Sequence, residues 1–120
     1  MPNKIVAVLN DLMFTVKISD AAKRAGVAIE YAKTADQAME KAVGAAAVIL
    51  DLNFAPPEWI ARLKSAEQTR SIPLIGYVSH VQTDVIALAR ESGCDTIMAR
   101  SAFVQGLSKM MEGFATNVQV

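Results

Sequence analysis

The sequence predicts an α/β fold, a three-layer, doubly wound, five-stranded parallel sheet in the order 2-1-3-4-5. Three observations carry that prediction. Short apolar runs alternate with stretches of helical spacing along the chain. One run, residues 45–50 (Ala-Ala-Ala-Val-Ile-Leu), is unbroken and suits a strand buried on both faces. Every link between successive strands carries a helix, so the strands should run parallel with helices on both sides. The five-strand doubly wound order then delivers the C-terminal ends of four strands to one rim.

Residues 5–9 form the first strand. Phe14, Ile18, Ala21, Ala22 and Ala25 recur at helical spacing, and Gly26 stops that helix. Residues 28–32 form a second strand, where Glu30 marks an edge position. Thr34-Ala35-Asp36-Gln37 has the form of a capping box, opening a helix through Met39 and Val43 to Gly44. The third strand ends at Asp51. Pro56-Pro57 suits a loop and a helical first turn. Ile60 and Leu63 supply the inward stripe of that helix, which fades at 68–70. Residues 73–78 form the fourth strand. Val81, Val85 and Ala89 face inward on the next helix, with Leu88 at the margin of the stripe, and Gly93 ends it. Residues 96–99 form the fifth strand. Phe103, Leu107, Met110, Met111 and Phe114 line the last helix, and 117–120 make a loose end.

The 120 residues, 52% of them hydrophobic, are enough for one domain with its own core, spanning 1–120. Twelve basic residues balance twelve acidic ones, so electrostatic binding to nucleic acid or to an anionic membrane has no support. The one cysteine, Cys94, excludes an internal disulfide and a cysteine metal cluster. The first apolar run is too short for a membrane span and lacks a signal-peptide pattern. A cytoplasmic protein is expected.

The rim gathers Asn10 and Asp11, Asp51 and Asn53, Val78-Ser79-His80, and Arg100-Ser101. Two readings of it stand side by side. Asp51 and Arg100 form an ion pair that neutralises a partly buried charge; acids at strand ends are common, which favours this one on pattern alone. In the other reading, Asp51 is a nucleophile toward a phosphoryl group, Asp11 or Asn10 helps hold a divalent cation, and Arg100 balances phosphoryl charge. Nucleotide chemistry lacks its glycine-rich phosphate cradle. His80, the only histidine, has Ser79 too close in sequence to serve as its nucleophile, and reads as solvated or capping. Cys94 reads as a small core residue on the opposite rim, and Trp59 as a ring lying over the sheet.

On Asp51-Leu52 at the strand end, Ile72-Pro73-Leu74-Ile75 opening the fourth strand, and Gly93-Cys94-Asp95 leading to a basic residue after the fifth, the chain resembles the CheY-like receiver domains of two-component response regulators, a flavodoxin-like fold. The resemblance covers nearly the whole length. It implies that Asp51 is the phosphoacceptor and that Arg100 stands in for the family's lysine. The switch Thr or Ser falls on Val78, with Ser79 next to it. The acidic pair that binds magnesium falls on Leu9 and Asn10, with Asp11 one place late. The implied Mg²⁺ site, made of Asp11, Asp51, Asn53 and Asn10, is therefore weakened or lost. Val78 has no hydrogen bond to donate.

The resemblance implies an atypical, pseudo-receiver-like module that signals by binding a partner protein. Such a module is not an enzyme beyond weak autodephosphorylation of an acyl phosphate. Tyr77, Val85, Ala99 and Phe103 mark the expected contact surface, and a histidine kinase is a candidate partner. The alternative is a working response regulator phosphorylated on Asp51. A third reading, a flavodoxin-like small-ligand binder or enzyme on the same rim, has no cofactor loop behind it.

Overall fold

The computed structural model describes residues 3–80 and 82–115. The expectations for Val81 and for 117–120 lie outside them. The element order is β1 (Lys4–Val8), α1 (Leu12–Ala25), β2 (Ala28–Ala32), α2 (Ala35–Ala42), β3 (Ala47–Asp51), α3 (Pro57–Ser65), β4 (Leu74–Val78), α4 (Thr83–Ser92), β5 (Thr96–Ala99) and α5 (Arg100–Ala115). All strand pairs are parallel, in the order β2-β1-β3-β4-β5. The predicted topology is the observed one. The predicted third helix outruns α3, which ends at Ser65 with a backbone bond from Ala66 to Arg62.

Strand alternation sorts the core into two layers. Ile5, Ala7, Leu9, Ala47, Ile49, Ile75 and Tyr77 pack on one face with Phe14 and Ile18 of α1 and Phe103, Leu107 and Met111 of α5. Val6, Val8, Val48, Leu50, Leu74 and Val78 pack on the other with Ala38 and Ala42 of α2, Ile60 and Leu63 of α3 and Ala89 of α4. Tyr77 and Val78, adjacent in β4, thus point to opposite layers. Two expectations are corrected here. Tyr77 is 1% exposed, so it is core and cannot form a contact surface; Phe103, read from its helical spacing as core, is 0% exposed, as that reading has it, which leaves it no part in such a surface. Leu88 is 48% exposed, because α4 turns Ala89 inward instead.

The helix ends follow their sequence signals. Asp11 caps α1, its side chain accepting from the Phe14 N–H. Gly26 ends α1 in the left-handed conformation at φ 76°, which an L side chain resists. Thr34 caps α2 by accepting from the Gln37 N–H at 3.1 Å, while the Gln37 side chain accepts from Lys33, one residue before the cap. Within β4, Gly76 leaves the space that Leu52 fills: a Cβ there would stand 2.6 Å from a Leu52 methyl. At the far rim Cys94 is buried, and the Asp95 carboxylate accepts from Lys64 at 2.7 Å and from the Leu74 N–H at 2.8 Å, pinning the start of β4. Among the described residues no helix is long and apolar enough to cross a membrane.

Candidate functional site on the C-terminal rim

Asp51 is the last residue of β3, paired in register with Tyr77 of β4. Its backbone carbonyl accepts from the Phe54 and Ala55 N–H groups, and its carboxylate accepts from the Asn53 N–H at 3.0 Å. The strand therefore turns sharply around this residue, and the side chain is held half-buried at the rim. Burial pushes the Asp51 carboxyl above the usual range, against the pull of the Asn53 amide and of Arg100; Asp11 adds to the rise.

Both carboxylate oxygens of Asp11 are engaged. Oδ1 accepts from the Phe14 N–H at 3.1 Å. Oδ2 takes the Arg100 guanidinium at 3.3 Å. The ion pair weighed for Asp51 thus forms with Asp11 instead. The reason lies in α5, which begins at Arg100 directly after Ala99 with no intervening residue. From there the guanidinium lies across the Phe14 ring, 4.2 Å from its centroid, and meets the acid that caps the same helix. Arg100 still lowers the Asp51 carboxyl through space.

Asn53 is a tie between two loops rather than an open ligand. Its side-chain oxygen accepts from Ser79 N–H at 2.7 Å and His80 N–H at 3.3 Å, and its amide donates to Gln82 at 3.4 Å. Asn10 is exposed, and Leu9 is buried in the layer under α1. Val78 belongs to the opposite layer, so neither its chemistry nor its direction serves the Asp51 side chain. Ser79 is exposed.

The roles of Phe14, Gln82 and Tyr77 at the rim escaped sequence reading, and Asn53 was placed there with a different one. Phe14 reads as an ordinary core position, and its ring doubles as the bed of Arg100. Asn53 and Gln82 join loops 29 residues apart. Tyr77 sits on the Asp51 face, stacked on Phe103 at 4.9 Å and tilted against Phe14 at 5.0 Å. Its hydroxyl is buried with no hydrogen-bond partner among the described residues. Burial, then the nearby negative charge of Asp51, drives its pKa far upward, with Arg100 opposing, so the phenol stays a donor. Alternation by two residues would have placed Tyr77 on this face; its lack of a partner depends on packing.

No family model matches the chain, and no curated protein matches it by sequence. Its fold has close counterparts among solved structures. The phosphorylated cyanobacterial phytochrome response regulator RcpA aligns with a TM-score of 0.78 at 18% identity, over 100% of this chain and 98% of that one. Chemotaxis response regulator CheY4 of Vibrio cholerae aligns at 0.77 and 18% identity, over 95% and 99%. The Mn²⁺-bound form of response regulator Rcp1 aligns at 0.75 and 17% identity, over 99% of each chain. The fold is that of CheY-like receiver domains.

Rcp1 takes a divalent ion, and the residues here can be tested against one. Asp11 has one oxygen on a helix cap and one on a guanidinium, the Asn53 side-chain oxygen is held by two backbone N–H groups, and Leu9 has none to offer. Among the described residues no three His, Cys, Asp or Glu side chains gather where an ion would sit. As arranged, this donor set does not fit a divalent cation, which needs several hard oxygens.

Proposed function

We propose that the 120 residues are one receiver-type signalling domain of the two-component kind, acting in the cytoplasm through protein–protein contact and without metal-dependent phosphorylation of Asp51. The observation that carries this reading is the double engagement of Asp11, one oxygen on the α1 cap and the other on Arg100. A receiver-like rim whose acid already holds a cation of the chain's own gains little from an added one. Val78 lends further weight, since a valine offers a phosphoryl oxygen no hydrogen bond. The receiver fold supports a partner of the signalling class, with a histidine kinase as one candidate. The contact surface belongs beside β5, where Ala99 is exposed at the edge of an open groove of about 570 Å³ that Val78, Ser79, Arg100 and Val104 also line.

Intact-protein mass after incubation with acetyl phosphate and Mg²⁺ tests the reading. The unaltered chain should keep its mass. A gain of one phosphoryl group that Asp51→Asn abolishes would establish the working response regulator instead.

A further inference from the structure

The Arg100 guanidinium is placed by three constraints at once. Its backbone opens α5 directly after β5. Its guanidinium lies 4.2 Å above the Phe14 ring, and its Nη2 lies 3.3 Å from the Asp11 carboxylate. Its field reaches Asp51 and Tyr77 as well as Asp11, lowering the pKa of each of the first two against burial. The carboxylate it touches is that of Asp11.

We propose that Arg100 is the resident counter-cation of this rim: by holding the Asp11 carboxylate against the Phe14 ring, it keeps a divalent ion off Asp11 and Asp51. The inference rests on the functional reading above and gives it a cause. A hard cation competing for Asp11 must displace the guanidinium and face its charge at short range. Arg100 and Asp11 remain 39% and 38% exposed, so the contact is one that substitution can open without unpacking the core. The site is then a latent metal site closed from within by one side chain.

The test is Mn²⁺ alone, followed by water-proton relaxation, on the full chain and on Arg100→Ala, Arg100→Met and Arg100→Met/Asp11→Asn. Met keeps an apolar stem beside Phe14 while removing the guanidinium with its charge and donors, which guards against a folding defect in the Ala variant. The unaltered chain should show no saturable binding at low millimolar Mn²⁺. Arg100→Ala and Arg100→Met should bind at least about tenfold more tightly. Adding Asp11→Asn should abolish that gain. Equal Mn²⁺ binding by the unaltered chain and folded Arg100→Met would overturn the proposal, and so would a gain that survives Asp11→Asn. The two readings fail separately. Folded Arg100 variants that gain no Mn²⁺, beside an unphosphorylated parent, sink only the counter-cation. A parent that takes a phosphoryl group, beside Arg100→Met that still binds Mn²⁺ far more tightly, sinks only the functional reading.

Discussion

Phe14 and Arg100, 86 positions apart in the chain, meet face to cation: the guanidinium carbon lies 4.2 Å from the ring centroid. The backbone N–H of the same Phe14 donates to the Asp11 carboxylate that Arg100 also engages. One aromatic residue thus holds both partners of the ion pair, one through its ring and one through its amide. Phe14→Leu keeps the amide bond and removes the ring. We expect a loss of about 1–3 kcal/mol, from the smaller side chain in a 1% exposed site and from the lost cation–π contact, read by urea denaturation.

Tyr77→Phe deletes a buried hydroxyl that has no partner among the described residues. An unmatched buried polar group costs about 1–3 kcal/mol, so the variant should be as stable as the parent or gain up to about 1 kcal/mol. A clear loss of stability would mean that the hydroxyl is bonded in solution.

Gly76→Ala places a methyl 2.6 Å from one Leu52 atom and 2.8 Å from another. Leu52 is 5% exposed and has little room to yield. We expect a loss of about 1–3 kcal/mol by overpacking. In Gly76→Ala/Leu52→Ala the effect of the added methyl should largely disappear, since the obstacle is gone, and a double-mutant cycle of thermal melts measures this.

Asp51 has a folded-state carboxyl raised above its ordinary value of 3.8, first by burial. In the folded chain the proton is held more tightly than in the unfolded one. Stability is therefore highest below the ordinary value and falls as pH rises through the raised one. At pH 7 the ionised side chain works against the fold. Asp51→Asn should raise the urea midpoint at pH 7, and its advantage should shrink toward zero as pH falls below 3.8. An advantage that is unchanged at low pH would assign the effect to packing instead of charge.

The architecture was legible because its signals are local. Alternation, caps at Asp11 and Thr34, and stops at Gly26 and Gly93 each act within a few residues, and a chain of helical crossovers admits few sheet orders. Asp51 was legible for the same reason, as the first charge after a buried run. The partner of Arg100 was not. Asp11 and Asp51 both stand at strand ends, and the choice between them depends on where α5 begins and which ring lies beneath it, a matter of contacts 89 residues apart. Tyr77 was placed on a contact surface because a shared functional face in a family does not say which residue of a strand turns inward; the helical spacing of Phe103 had already marked it as core. The polar tie of Asn53 to Ser79 and His80 carries no sequence signature, since any loop asparagine has the same composition cue.

The ring of Trp59 stands edge-on to Phe54, with centroids 5.7 Å apart, and the Phe54 N–H is bonded to the Asp51 carbonyl. Trp59 is the only indole in the chain. The protein therefore carries an intrinsic optical label one ring away from its central acid, and its emission reads the Asp51 turn with no foreign dye and no second chromophore of its kind to confound it.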